Sequence, residues 1–319
     1  MYWQVNPLNI YFSIDIEISS LYLNLNLDLH TPSLNRLLDL WLDEDLGRGD
    51  LTRVAIKNEI SSAYWIAKSE GIFCGGSLIE AIFHKIDQRI EVHLLIDDGG
   101  QFKKGQKLLT LKGPACSLLA GERTSLNLVM RLSGIATSTA LLVKELKGTG
   151  IHLADTRKTT PGLRILEKYA IRCGGGINHR MGLDDAAMLK ENHIAWSNGV
   201  EKAITKIKEA SPWTTRIIVE AETAEEAVEA VKGGADGILL DEMSPTSILS
   251  LVPRLRELAK TSFPNRKSNE LVIEVSGINP KTIKDYANTG IDLISTSAPI
   301  TRSSWIDLSM RFNNVVEQS

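Results

Sequence analysis

Residues 216–241 read RIIVEAETAEEAVEAVKGGADGILLD, and this stretch decides the fold. Two apolar, strand-like runs end on Glu220 and Asp241, and a helical pattern of apolar residues lies between them. The cycle recurs along the second half of the chain. Strand-like runs occur at 151–154, 216–219, 237–240, 271–275 and 291–295, and amphipathic helices are predicted at 224–231, 245–259 (with a kink or break at Pro253) and 280–287. Alternating strands and helices predict a parallel sheet, either open and doubly wound or closed as a barrel.

Polar residues at the strand ends favour the barrel. The predicted strands are followed by Asp155 with Arg157 and Lys158, then by Glu220, Asp241, Ser276 and Ser297. A (β/α) barrel presents its functional groups at the carboxyl ends of successive strands. A doubly wound sheet concentrates phosphate binding in one early glycine-rich turn, and no Gly-x-Gly-x-x-Gly or P-loop pattern follows any predicted strand. We therefore predict an α/β fold with a barrel.

The chain before residue 150 has a different pattern. A helical register begins at Ser33, and a second helical run and a longer helix are predicted at 78–86 and 116–132. Short β-rich pieces at 64–67, 90–95 and 107–111 lie between Gly/Asp turns. These features predict an α+β domain.

Residues 1–33 stand apart because their apolar residues alternate with polar ones, which is the period of a strand. Two interpretations remain open: an extra amphipathic strand or hairpin, or a loosely held tail. No Lys or Arg precedes Arg36 and no continuous apolar run is present, so we expect no secretory signal peptide.

The composition excludes several classes of protein. The 319 residues are 43% hydrophobic and 24% charged, which excludes disorder and coiled coil for the whole chain. The net charge of −3 and the lack of about 18 uninterrupted apolar residues predict neither nucleic acid nor membrane as a partner. Cys74, Cys116 and Cys173 form no Cys-x-x-Cys pair, so a reducing cytoplasm is expected.

The densest group of charged residues and glycines lies between 155 and 193. Arg157 and Lys158 precede Thr-Thr-Pro-Gly, and a triple glycine follows at 174–176. Arg binds carboxylate or phosphate with two parallel hydrogen bonds, and Lys adds a mobile charge. A solvated basic loop is the simpler interpretation, but cations at barrel strand ends in an acidic chain favour an anion site.

Glu220 and Asp241 end neighbouring strands, where two carboxylates can hold Mg²⁺ directly or through water. Alternatively, they pair with nearby Lys and Arg. The histidines lack the spacing of a transition-metal site, and no Ser/His/Asp or Cys/His nucleophile pattern is present.

Five motifs together resemble one family. They are ERTSLN at 122–127, LSGIAT at 132–137, DTRKTTPG at 155–162, GGGINHRMGLDD at 174–185 and KENHI at 190–194. Over about residues 34–311 the chain resembles the quinolinate phosphoribosyltransferases, also called carboxylating nicotinate-nucleotide pyrophosphorylases. Ser276-Gly277-Ile278 and Ser297 depart from the family pattern, and residues 1–33 have no counterpart in it.

The resemblance implies a fold and an activity. The expected fold is a partial (β/α) TIM-like barrel at 128–301 with an N-terminal open-faced α+β sandwich at 34–127 plus 302–319, assembled as a homodimer or higher oligomer. The expected activity is phosphoribosyl transfer from phosphoribosyl pyrophosphate to quinolinate with decarboxylation. The products would be nicotinate mononucleotide, pyrophosphate and carbon dioxide, with Mg²⁺ as cofactor, in NAD biosynthesis.

The resemblance also implies site residues. Those facing the quinolinate carboxylates would be Arg123 (from the partner subunit), Arg157, His179, Arg180 and Lys190. Lys158, Glu220 and Asp241 would face ribose, pyrophosphate and metal, and Ser276, Gly277, Ser297 and Ala298 the 5′-phosphate. Thr156 would also bind substrate. Lys158, Lys190, Glu220 and Asp241 are the expected catalytic residues.

Two alternatives were weighed. A molybdenum-transport-associated relative with another acceptor is disfavoured. A monocarboxylate or non-pyridine acceptor would leave some of the buried cations in the set Arg123, Arg157, His179, Arg180 and Lys190 unpaired. A non-catalytic nucleotide-sensing protein is disfavoured, because both Glu220 and Asp241 are present.

Overall fold

The computed structural model describes residues 31–264 and 271–313. The strand or tail predicted for residues 1–33 lies outside the described residues except for its last three positions, where Thr31 precedes helix α1.

The N-terminal part combines helices with an antiparallel sheet. Its elements are α1 (Pro32–Leu46), a 3₁₀ turn (Leu51–Ala55), β1 (Ile60–Ala67), β2 (Gly71–Ile72), α2 (Gly76–Ile86), β3 (Glu91–Leu94), β4 (Gln101–Phe102) and β5 (Lys107–Pro114). Strand β12 (Leu308–Phe312) joins them, and the sheet order is β12-β1-β5-β3. Alternate residues of β1, Trp65 among them, are buried against Phe73 and Phe83. The α+β pattern predicted for this region is confirmed.

Helix α3 (Ala115–Glu145) is longer than predicted and connects the two parts of the molecule. It contributes Leu118 and Leu126 to the core below the antiparallel sheet, and Leu132 and Ile135 to the core shared with α1. The predicted domain boundary at 127/128 falls inside this continuous helix, so that division stays a prediction.

By length and mean hydropathy, α3 is the one helix in the described part of the chain that passes the test for a membrane span. Half of its most apolar window is buried inside the protein. Its apolar residues therefore pack in the protein cores, as in the core helix of a globular domain.

The second part alternates strands and helices. Its elements are β6 (His152–Ala154), α4 (Arg164–Cys173), β7 (Ala187–Leu189), α5 (Glu191–Trp196), α6 (Val200–Ala210), β8 (Ile217–Ala221), α7 (Ala224–Lys232), β9 (Gly237–Asp241), α8 (Pro245–Ser262), β10 (Val272–Ser276), β11 (Leu293–Ser295) and α9 (Ala298–Thr301). The strands form one parallel sheet in the order β6-β11-β10-β9-β8-β7. Because β6 and β7 lie at its two edges, the barrel is open, which confirms the partial barrel.

The two faces of this sheet have different roles. Val219 and Leu240 lie on the face that packs against α6, α7 and α8. The strand register places Glu220 and Glu274 beside Leu239, on the opposite face. The concave side of the open barrel therefore carries carboxylates at the level where the strands end.

Two local predictions are corrected. Helix α8 is not broken at Pro253 and continues to Ser262. Leu251, Val252 and Leu255 are buried in the core, and their packing outweighs the helix-breaking cost of about 3 kcal/mol. The helix predicted at 280–287 is a 3₁₀ helix (Pro280–Tyr286).

Candidate active site

The carboxyl ends of the parallel strands bring predicted residues together. Lys190 follows β7, and its Nζ donates to Oε2 of Glu220 at 2.5 Å on the neighbouring strand β8. Ser276 ends β10 and its hydroxyl donates to Oδ1 of Asp241, its partner in the strand register. The sheet thus places an ammonium group, two carboxylates and a hydroxyl together at the carboxyl-terminal ends of its strands.

The two carboxylates suit a hard cation that keeps part of its own shell. Oε1 of Glu220 and Oδ2 of Asp241 make no hydrogen bond within the described residues, so each side chain has one free oxygen. No group of three or more His, Cys, Asp or Glu suited to a metal occurs in residues 31–264 and 271–313. The donor set fits Mg²⁺, which normally fills its shell with water and substrate phosphate oxygens.

The loop after β6 presents two free cations. The hydroxyl of Thr156 accepts a hydrogen bond from the backbone N–H of Lys158 at 3.0 Å, which forms a tight turn. The side chains of Arg157 and Lys158 are exposed, and neither has a hydrogen bond or ion pair in the described part of the chain. These charges are available to a ligand.

A buried ion pair supports the next loop. Asp155 and Lys168 are fully buried and paired with each other. Asp155 also accepts from Asn178 Nδ2 at 2.6 Å and from the backbone N–H of His179 at 2.9 Å, and Lys168 donates to the carbonyl of His179 at 2.9 Å. Burial raises the pKa of the Asp155 carboxyl, while its hydrogen bond with Lys168 acts in the opposite direction. The pair fixes the backbone at residues 178–179.

His179 points towards a carboxylate that the sequence reasoning missed. Its Nδ1 accepts from the backbone N–H of Arg180 at 2.7 Å, and its Nε2 lies 3.3 Å from Oε2 of Glu274. Glu274 is 3% exposed, and its Oε1 has no partner among the described residues. Because Nδ1 accepts, the ring proton belongs on Nε2, facing Glu274.

Arg180 lies near a second guanidinium. Burial lowers the pKa of Arg180, and the positive charge of Arg157 lowers it further. Its Nη1 donates to the carbonyl of Ala186 at 2.8 Å. Two neighbouring cations that disfavour each other are stabilised when an anion lies between them.

The residues predicted to hold a phosphate lie after β10 and β11. Gly277 has φ +72°, and a Cβ there would lie 2.6 Å from Cγ of Glu242, so this position requires glycine. Ser297 precedes the short helix α9, and the backbone N–H of Ala298 donates to the hydroxyl of Thr296 at 3.2 Å. Both segments lie at the carboxyl-terminal end of the sheet, as Asp241 does.

Arg123 lies on α3 and not on a loop that follows a strand of the parallel sheet. It is exposed on α3, and its side chain makes no hydrogen bond or ion pair within the residues described. Burial raises the pKa of the adjacent Glu122, and the charge of Arg123 opposes this. Among the described residues, Arg123 therefore interacts with the neighbouring charge of Glu122 but forms no ion pair.

Several site-supporting residues were not predicted from the sequence. They are Arg131, Glu167, Lys168, Asn178 and Glu274. Glu274 had a signal, because a carboxylate in the middle of the apolar run LVIEVS is unusual. The others are recognised only by their long-range contacts.

The fold and this site define a (β/α)-barrel enzyme that binds anionic substrates. The family model "Quinolinate phosphoribosyl transferase, N-terminal domain" matches residues 50–133. The model "Quinolinate phosphoribosyl transferase, C-terminal domain" matches residues 135–311. The chain belongs to the quinolinate phosphoribosyl transferase family.

Individual relatives agree. A probable nicotinate-nucleotide pyrophosphorylase [carboxylating] from Synechocystis is 41% identical over 277 residues, covering 86% of this chain and 90% of the relative. The human nicotinate-nucleotide pyrophosphorylase [carboxylating] is 34% identical and covers 88% of this chain and 91% of its own. The structure of the nicotinate-nucleotide pyrophosphorylase from Francisella tularensis aligns with a TM-score of 0.82 at 35% identity, over 90% of this chain and 100% of that one.

Proposed function

We propose that this protein transfers the phosphoribosyl group of phosphoribosyl pyrophosphate to quinolinate and releases pyrophosphate and carbon dioxide, giving nicotinate mononucleotide for NAD biosynthesis. The observation that carries the proposal lies at the carboxyl ends of the parallel strands, where Lys190 pairs with Glu220 and the hydroxyl of Ser276 donates to Asp241. The exposed cations Arg157 and Lys158 lie on the loop after β6. A dicarboxylate and a polyphosphate together require more positive charge than one loop supplies.

Quinolinate is assigned to the cationic side of the site. Arg157, Arg180 and Lys190 lie on three different loops, and His179 lies beside Arg180. We assign the two carboxylates of quinolinate to these groups, with Arg123 of a partner subunit completing the set. The ammonium group of Lys190 lies 2.5 Å from Glu220, so Lys190 also links the cationic side of the site to the side assigned to ribose.

Phosphoribosyl pyrophosphate is assigned to the acidic side. Glu220 and Asp241 would hold Mg²⁺, partly through water, and the metal would supply charge stabilisation for the leaving pyrophosphate. Glu220 and Asp241 also stabilise the positive charge that develops on the ribose as its bond to pyrophosphate breaks. Lys158 and Thr156 face the ribose and pyrophosphate. Ser276, Gly277, Ser297 and Ala298 are assigned to the 5′-phosphate.

The bonding changes need no nucleophilic side chain. The bond from the anomeric carbon to pyrophosphate breaks, and the pyridine nitrogen supplies the electron pair of the new bond. The adjacent carboxylate then leaves as carbon dioxide, and its electron pair stays on the ring carbon beside the cationic nitrogen. That carbon takes up a proton, which we assign to Lys190.

The test of the function is direct. The protein is incubated with carboxyl-labelled quinolinate, phosphoribosyl pyrophosphate and Mg²⁺, and released carbon dioxide is measured. Release that depends on both substrates supports the proposal. A folded protein that uses another acceptor, or that binds nucleotide without turnover, would refute it.

Asp241→Asn is expected to separate the two halves of the site. Turnover at saturating quinolinate should fall by about 10²-fold, because a charge that stabilises the transition state is lost. The Kd for quinolinate, measured calorimetrically without phosphoribosyl pyrophosphate, should stay within about twofold of wild type.

The control for this variant is Asp39→Asn, at an exposed pair with Lys85, which should change neither quantity. An equal loss of quinolinate affinity in Asp241→Asn would place Asp241 in the wrong half of the site.

We further propose a cytoplasmic homodimer in which Arg123 serves the partner's site. Cys74, Cys116 and Cys173 are all free thiols, which suits a reducing compartment. Arg123 is an exposed cation without an ion-pair partner in the described chain, as a residue donated to another subunit would be.

Complementation tests this arrangement. Arg123→Ala and Lys190→Ala should each lose about tenfold to more than a hundredfold in kcat/KM, since a charged hydrogen bond contributes about 1.5–3 kcal/mol. When the two variants are assembled together, half of the dimers are mixed and hold one intact site of two. About a quarter of wild-type activity should return. If subunit exchange is verified and no activity returns, Arg123 acts within its own chain.

A further inference from the structure

The guanidinium of Arg131 joins three segments of the chain. Its Nη2 lies 2.9 Å from Oε1 of Glu167 on α4 and 2.5 Å from the carbonyl oxygen of Ile300 on α9. Its Nη1 donates to the hydroxyl of Ser303 at 3.2 Å. Because Arg131 itself lies on α3, one planar group ties together three helices and the segment after α9.

Glu167 extends this connection to the loop at 155–162. It is fully buried, and its Oε2 accepts from the backbone N–H of Thr160 at 2.8 Å. Its Oε1 accepts from the hydroxyl of Thr160 at 2.8 Å as well as from Arg131. Both carboxylate oxygens are engaged, so the buried charge is fully satisfied.

The network connects the loop at 155–162, which carries residues assigned to both substrates, with the segment assigned to the 5′-phosphate. Thr160 lies on the loop that carries Arg157 and Lys158, and Ile300 lies on the short helix that begins after Ser297. These loops follow β6 and β11, which are neighbours in the sheet.

We propose that Arg131 is a positioning residue. It fixes the loop at 155–162, which follows β6, relative to the segment at 297–303, which follows β11. This inference rests on the proposed function. Arg suits the role because its planar fork donates several hydrogen bonds in fixed directions, whereas Lys offers one mobile charge. If the two loops shift relative to each other, both substrates lose alignment.

Arg131→Met and Arg131→Lys are expected to behave differently. In Arg131→Met both connections are lost, so KM for quinolinate and KM for phosphoribosyl pyrophosphate should each rise about tenfold or more. In Arg131→Lys the ammonium can still pair with Glu167 but cannot also hold Ile300 and Ser303. KM for quinolinate should return to within about twofold of wild type, while KM for phosphoribosyl pyrophosphate stays high.

Arg256 provides a matched control at the other end of the barrel. Its Nη2 donates to Oδ1 of Asp292 and to the carbonyl of Gly290, both at 2.9 Å, and its Nη1 donates to the carbonyl of Leu271 at 3.2 Å. It is the same kind of fork, placed where β10 and β11 begin. Arg256→Met should leave both KM values within about twofold of wild type. It should lower the Tm less than Arg131→Met does, because Asp292 is partly exposed whereas Glu167 is fully buried.

Three results would overturn the proposal. The first is Arg131→Met with both KM values within twofold of wild type. The second is an equal rise in KM for Arg256→Met, which would make the effect one of general stability. The third is an Arg131→Lys variant in which KM returns towards the wild-type value for both substrates equally, or for neither. Because Lys can still pair with the buried Glu167, this variant is expected to fold.

The calorimetric Kd of each substrate is measured in parallel for every variant. If the wild type binds both substrates but releases no carbon dioxide, the proposed function fails while the positioning role of Arg131 is still decided by the Kd values. If the wild type binds neither substrate, both proposals are refuted.

Discussion

Nicotinate is expected to react with kcat/KM about 10⁴-fold or more below that of quinolinate. Arg157 and Arg180 lie close enough for the charge of one to lower the pKa of the other, and Arg180 is partly desolvated. In the proposed binding mode, the carboxylate beside the ring nitrogen of quinolinate would offset this repulsion. Nicotinate lacks that group and leaves a guanidinium without a partner, and sites built on such polar partners reject the incomplete analogue by about 10⁴–10⁵.

The measurement is kcat/KM for both acids at saturating phosphoribosyl pyrophosphate and Mg²⁺. Arg180→Gln supplies the internal comparison: it should lower activity with quinolinate and narrow the ratio between the two acids, because the unpaired charge is gone. Comparable efficiencies of the wild type with both acids would refute the assignment of the cationic side to a dicarboxylate.

Lys168→Met is expected to destabilise the fold by about 3–5 kcal/mol. Lys168 is buried with Asp155, so its removal leaves a carboxylate uncompensated in the interior. The carbonyl of His179 loses a donor as well. The free energy of unfolding is measured by urea denaturation followed by circular dichroism.

Two further variants separate the buried charge from the loss of a side chain. Asp155→Asn combined with Lys168→Met removes both charges and should recover much of the lost stability. Lys85→Met, at the exposed pair with Asp39, should cost at most about 1 kcal/mol. A loss of under 1 kcal/mol for Lys168→Met would show that the interior pair contributes no more than a surface pair.

The fold was accessible from the sequence where local patterns and tertiary structure agree. The strands ending on Glu220 and Asp241 are apolar runs of strand length, and the helix between them has a clear apolar face. Strand β7 was missed because its three residues are too short to show a period. Pro253 misled the prediction because core packing decides the course of α8.

The charged residues of the candidate site were easier to predict from the sequence than the residues that hold its loops in place. Charged groups such as Arg157 and Lys190 carry their own signal, since their side chains and motif positions are visible in the sequence. Arg131 and Glu167 carry no such signal, because their roles depend on partners that are distant along the chain. Support of this kind emerges only when the chain is folded.

Strand β12 has a consequence for how the molecule is made. It pairs with β1 along five positions, from Ala63 with Phe312 to Ala67 with Leu308. During translation, β1 leaves the ribosome long before its partner strand exists. The first sheet therefore keeps an open edge at β1 until the barrel has been synthesised, and β12 can close that edge only afterwards.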